Sequence, residues 1–154
     1  MQNIFDILRG QLGLSKDIGD PLGKDKKAVL DTLKLDPIGH LYKDVSYTLD
    51  SQKIFLDPDI SLIKLSSIIG TNTTYLSNAI NKYFGCNFKT LINNYRVEYC
   101  KKILNEETAS LSVKEMAKAC GFASVSAFYA SFKKVTGVSP LQYRLIVKYK
   151  SEFL

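Results

Sequence analysis

An all-α fold is predicted: two helix-turn-helix subdomains joined by a long linker helix, with a short N-terminal helical segment before them. Three observations lead there. The 154 residues include only 4 prolines, and strand-like alternation of apolar and polar residues is scarce. Apolar side chains instead recur every three or four residues, the period of one helix face. Finally, the pattern over residues 61–85 returns over residues 112–137.

Each element has its own local justification. Tyr42, Val45, Leu49 and Phe55 predict a helix over 42–55, ended by the turn-forming run Leu56-Asp57-Pro58-Asp59. Ser61 caps a short helix carrying Leu62, Leu65, Ile68 and Ile69, which stops at Gly70. Serine accepts a free first-turn N–H, and glycine enters the left-handed stop without strain. After the polar Thr71-Asn72-Thr73, Leu76, Ala79, Ile80 and Tyr83 mark a second helix running to about Phe84, with Gly85 as its stop. The linker helix over Phe88–Leu104, about 25 Å long at 1.5 Å per residue, carries Leu91, Tyr95, Tyr99 and Ile103 on one stripe.

The second unit repeats the first. Ser112 and Glu115 form a capping box, each side chain satisfying the other's backbone N–H, ahead of Val113, Met116, Ala117 and Cys120. Gly121 stops that helix. Ser124 caps the next one, with Phe128, Phe132 and Val135 inward and Gly137 at its end. Ser139-Pro140 starts the last helix, where the missing proline N–H costs nothing. At an offset of 52 residues Leu76 falls on Phe128, Ile80 on Phe132 and Gly85 on Gly137. Gly70 and Gly121 differ by 51, a one-residue change in the turn.

Composition narrows the function. A chain of this length buries roughly 68–70% of its unfolded surface, enough for one domain or two small ones. Its 45% apolar content is too high for a disordered chain. No apolar run approaches the ~18 residues needed to cross a bilayer. The opening MQNIFDILRG, with Asp6 and Arg9, does not read as a secretory signal. Cys86, Cys100 and Cys120 are odd in number and lack C-x-x-C spacing, so they read as reduced thiols of a cytoplasmic protein. The single histidine, His40, reads as a loop or capping residue, which leaves nucleophilic triads without a base. With no paired acids, metal ligands or phosphate loop, no enzyme, cofactor or metal is expected.

Charge points elsewhere. The 21 Lys+Arg and 15 Asp+Glu give a formal +6, and residues 86–154, with eleven basic and five acidic groups, carry all of it. A basic half suits a polyanion. On the second helix of the first unit, the face opposite the apolar stripe carries Thr74, Ser77, Asn78, Asn81 and Lys82, with Tyr75 at its edge. The matching positions of the second unit are Ser126, Tyr129, Ala130, Lys133 and Lys134. Hydroxyls and amides read base edges, asparagine bonding adenine through two atoms, while lysines near a helix end meet phosphate. Phe128, Phe132, Leu76 and Ile80 are core residues by spacing. Arg96 and Arg144, each ending a Tyr-Arg pair, either bind phosphate or brace a helix end.

These residues carry a family resemblance. From Val113 to Arg144 the chain reads Val-x-x-Met-Ala-x-x-Cys-Gly-Phe, then Ser124-x-x-x-Phe128-x-x-x-Phe132-Lys133-Lys134-x-x-Gly137-x-Ser139-Pro140-x-x-Tyr143-Arg144. The first unit matches through Leu65–Gly70, Tyr75-Leu76-Ser77, Asn81-Lys82-x-x-Gly85 and Tyr95-Arg96. The stretch from Phe55 to Arg144 resembles the DNA-binding domain of the AraC/XylS family of bacterial transcription regulators, and the resemblance covers roughly two thirds of the chain. It implies about seven helices, with a first helix-turn-helix over 41–86, a linker helix over 88–104 and a second helix-turn-helix over 111–147. It also implies recognition helices in successive major grooves of double-stranded DNA. Further partners it implies are RNA polymerase, if the protein activates, and either a second copy or a sensor domain.

The chain departs from the family at Ala130, where many members carry arginine, and at Val125, where long polar side chains are common. Val125 offers only apolar contact, for example to a thymine methyl. The first unit is therefore expected to read bases and the second mainly to contact phosphates. An interaction or output module with little base readout is the alternative. Residues 1–40 are too few for the cupin-like sensor usual in the family. Their apolar sets, Ile4, Phe5, Leu8 and Leu12 and then Ala28–Leu35, suggest a short helical pair or an interaction arm.

Overall fold

The computed structural model describes residues 38–105 and 111–152; the helical pair expected before residue 38 lies outside them. Among the described residues there are seven helices and no strand. They are α1 Gly39–Asp50, α2 Leu62–Ile69, α3 Thr73–Phe84, α4 Phe88–Asn105, α5 Val113–Ala119, α6 Val125–Thr136 and α7 Pro140–Glu152. A 3-10 turn occupies Ile54–Leu56. The all-α expectation holds.

Local hydrogen bonds explain most boundaries. Ser61 Oγ accepts from the Lys64 N–H at 3.1 Å. Both halves of the Ser112–Glu115 capping box are made, with Glu115 accepting from the Ser112 N–H at 2.8 Å and Ser112 Oγ accepting in return at 3.3 Å. Ser139 and Gln142 exchange the same pair of bonds around Pro140, at 2.9 and 3.2 Å. Asn87 Oδ1 caps α4 through the Thr90 N–H at 2.9 Å, a signal the apolar pattern does not carry.

The hydrogen bonds from Ser112 hold the Glu115 carboxyl below the usual carboxylate range. A lowered folded-state pKa means stability that is present above the unfolded pKa and lost as pH falls through the folded one. Glu115→Gln is therefore expected to melt below the parent at neutral pH. Melting curves through the acidic range should show that gap closing; a gap constant with pH would assign it to shape alone.

Two elements differ from expectation. The first helix ends at Asp50 rather than running to Phe55, because Lys53 adopts φ 50° in the left-handed region and breaks the helical path. It also starts earlier, so His40 stands exposed in the first turn of a helix rather than in a loop. In α2, Ile68 is 47% exposed instead of inward, while Ser66 is buried with its hydroxyl bonded to the Ile63 carbonyl at 2.8 Å.

The described residues form two compact units, one of residues 38–54 with Ile60–Leu91, the other of Phe55–Asp59 with residues 92–105 and 111–152. In the first, α1, α2 and α3 pack through the fully buried Val45, Leu49, Leu65, Leu76 and Ile80. Tyr42 lies against Tyr83 and Phe84, with ring centroids 5.8 and 5.2 Å apart. In the second, Val97, Cys100, Met116, Cys120, Phe128 and Phe132 form the core. An aromatic chain runs through it, Phe122 to Phe128 at 5.3 Å, Phe128 to Phe132 at 5.7 Å and Phe132 to Tyr143 at 5.5 Å. Each buried phenylalanine contributes about 1.5–3 kcal/mol through lost water contact. The Cys100 thiol, hydrogen-bonded to Cys120 and buried, is pushed up and stays protonated.

The single stripe expected on α4 is too narrow. Asn94, Tyr95, Arg96, Val97 and Glu98 are buried in succession, so the helix is covered on every side there, while Tyr99 and Ile103 are only partly buried. Of the polar members, Glu98 accepts at both oxygens from Lys101 Nζ at 2.9 Å, and Arg96 donates to the Phe55 and Asp57 carbonyls. Burial with polar side chains leaves no apolar period to read.

Candidate nucleic-acid interface

The first candidate surface is the outer face of α3. Asn72 Oδ1 accepts from the Tyr75 N–H at 2.9 Å and starts the helix, and Gly85 at φ 66° ends it. Leu76, Ala79, Ile80 and Phe84 turn inward. That leaves Thr74, Tyr75, Asn78, Asn81 and Lys82 exposed and Ser77 half-buried. Tyr75 is 55% exposed, high for an aromatic side chain. The Lys82 ammonium lies 5.3 Å from the centroid of the Tyr83 ring, a cation–π contact that orients it in the last helical turn.

The second surface is built the same way on α6. Ser124 Oγ accepts from the Ala127 N–H at 3.2 Å, and Phe128 and Phe132 anchor the helix inward. Ser126, Lys133 and Lys134 are exposed, as are Val125 and Ala130. Tyr129 is half-buried, with its ring 6.1 Å from that of Phe128. Eight of the ten residues singled out by sequence are thus exposed, and the other two, Ser77 and Tyr129, are half-buried.

Charge is distributed alike on the two helices. The first eight residues of each, Thr73–Ile80 and Val125–Phe132, hold no ionisable side chain except tyrosine. The lysines come in the last turn, Lys82 on α3 and Lys133 and Lys134 on α6. Cations there complement the negative end of the helix dipole. Such a helix presents neutral hydrogen-bonding or apolar groups at its leading end and positive charge behind them.

Arg96 and Arg144 prove to be braces. Arg96, 8% exposed, donates from Nε to the Phe55 carbonyl at 2.7 Å and from Nη2 to the Asp57 carbonyl at 2.8 Å. Its guanidinium also lies 5.5 Å from the Phe122 ring centroid. Burial pulls its pKa below the usual arginine range, opposed in part by Asp57, and arginine remains charged at neutral pH. Arg144 donates from Nη2 to the Leu111 carbonyl at 2.7 Å, with its Nε buried and unpartnered. Each therefore holds backbone that precedes it by more than thirty residues. Sequence left phosphate binding and bracing equally open; burial decides for bracing at Arg96, and at half-buried Arg144 the bond to the Leu111 carbonyl favours the same role.

Among the described residues no group of three or more His, Cys, Asp or Glu could hold a metal ion. No helix among them is long and apolar enough to cross a membrane.

The family model described as a helix-turn-helix domain matches residues 65–145. An uncharacterized HTH-type transcriptional regulator of Staphylococcus aureus is 29% identical over 100 residues, a match spanning 65% of this chain and 13% of that protein. The chain thus covers a small part of the length of such curated relatives. Among solved structures, the C-terminal domain of AraT, a response regulator from Geobacillus stearothermophilus, is similar at 30% identity and a TM-score of 0.60. That likeness covers 73% of this chain and 87% of that one. The C-terminal domain of the response regulator yesN from Fusobacterium nucleatum is 32% identical with a TM-score of 0.54, over 60% of this chain and 88% of that one.

Proposed function

Because the chain belongs to the AraC-type helix-turn-helix family of DNA-binding transcription regulators, we propose that it binds double-stranded DNA sequence-specifically, α3 reading bases and α6 mainly contacting phosphates. The observation that carries this is the pair of exposed outer faces, one per repeat, with amides and hydroxyls on α3 and lysines dominating α6. In the bound state the two recognition helices enter successive major grooves, about one turn of DNA apart. Such a regulator works in the bacterial cytoplasm and catalyses nothing. RNA polymerase, if it activates, and a second copy or a sensor domain are its further partners.

Two substitutions test the division of labour. Asn78→Ala is expected to cost about 1–3 kcal/mol on the preferred duplex and little on a random one, relaxing selectivity at one base position. Equal losses on both duplexes would remove Asn78 from base readout. Lys133→Ala should weaken every duplex alike and flatten the dependence of log affinity on log salt by about one unit. Titrations at several salt concentrations read both effects.

One observation favours the alternative of an interaction module. Leu141, Leu145, Ile146 and Tyr149 leave α7 with exposed apolar side chains, 44–60% accessible. That reading predicts weak DNA binding that ignores sequence and vanishes with salt.

A further inference from the structure

Resting on the DNA-binding reading above, we infer that the duplex this protein prefers is A·T-rich in both half-sites and that it is read without a guanine-specific contact. The commonest specific protein–DNA contact is an arginine fork on guanine O6 and N7. The sequence contains three arginines, Arg9, Arg96 and Arg144. Arg9 lies outside the described residues. Arg96 is buried with Nε and Nη2 on the Phe55 and Asp57 carbonyls, and Arg144 spends Nη2 on the Leu111 carbonyl with Nε enclosed. Neither α3 nor α6 contains an arginine, and their lysines stand in the last turn, away from the leading half that meets base edges.

The hydroxyls of Thr74, Ser77 and Ser126 suit either base pair, but two groups on the leading halves have a definite base preference. Asn78, exposed on α3, presents a carbonyl oxygen and an NH2, matching the N6 donor and N7 acceptor of adenine. Val125, at the first position of α6 and 37% exposed, has only methyl groups to present. The thymine 5-methyl is the one apolar group in the major groove, so Val125 selects thymine there. Ala130, also exposed on α6, adds no donor that could engage guanine.

Base analogues test this on the full chain. A duplex chosen by selection from a random pool is titrated after replacing adenine by 7-deazaadenine, guanine by 7-deazaguanine, or thymine by uracil, one half-site at a time. The expected result is about a tenfold loss for deazaadenine in one half-site, the size of one good base contact. A severalfold loss is expected for uracil in the other half-site, and none for deazaguanine in either. In Val125→Ala, which keeps only the Cβ methyl, the uracil penalty should shrink while salt dependence is retained, a pattern that misfolding cannot produce. A selected motif with a required guanine, or a tenfold loss on deazaguanine, overturns the inference while leaving sequence-specific binding intact. Equal binding of the selected and scrambled duplexes overturns the underlying reading as well.

Discussion

Gly121→Ala is expected to destabilise the protein by about 2–5 kcal/mol, the sum of left-handed backbone strain and overpacking. Gly121 adopts φ 80°, where a Cβ costs roughly 1–2 kcal/mol by itself. A Cβ built there also meets the Phe55 carbonyl oxygen at 2.7 Å and the Leu56 Cα and carbonyl oxygen at 2.8 Å. These are backbone atoms, so no side chain can swing aside. The control is Gly70, whose φ of 77° imposes the same strain but whose Cβ meets nothing within 4 Å. Gly70→Ala should therefore cost only about 1–2 kcal/mol. Thermal melts resolve the difference, since each kcal/mol moves the midpoint by roughly 2–4 °C in a chain of this size. Equal shifts for the two variants would mean the turn relaxes and close approach contributes nothing.

Arg96→Ala is the second large effect, expected at about 3–6 kcal/mol, because two hydrogen bonds from a charged donor vanish together, each contributing roughly 1.5–3 kcal/mol. The carbonyls of Phe55 and Asp57 lose their donor, and the cation–π contact with Phe122 disappears. Arg96→Lys should fall between parent and alanine, since an ammonium lacks the planar fork that reaches both carbonyls. The decisive comparison pairs unfolding with DNA titration. A brace predicts a large loss of stability with the salt slope of DNA binding unchanged at temperatures where the variant is folded. Full stability with a slope reduced by about one unit would instead make Arg96 a phosphate contact.

The two experiments meet at one place. Phe55 and Asp57 supply the carbonyls that Arg96 holds, and Phe55 and Leu56 supply the backbone against which Gly121 sits. Phe55 itself packs against Tyr95 and Tyr99 at 5.5 and 5.8 Å. By sequence it closes the first helix. In the fold it belongs to the second unit, far along the chain from the residues it touches.

What sequence alone determined is what depends on residues within about four positions. Helix starts at Ser61, Ser112 and Ser124 and stops at Gly70, Gly85 and Gly137 were legible because caps and left-handed turns are made by neighbouring backbone groups. The outer faces of α3 and α6 were legible because the inward face is set by helical period, and what remains is outward. Tertiary structure decided everything that needs a distant partner. It buried α4 on all sides behind polar residues that no hydrophobic period reveals, and half-covered Ser77 and Tyr129. It turned Ile68 outward and made Gly121 a point of backbone contact as well as a helix stop. It also withdrew Arg96 from the surface, where its two hydrogen bonds satisfy carbonyls that would otherwise be buried without a donor, and tied half-buried Arg144 to the Leu111 carbonyl.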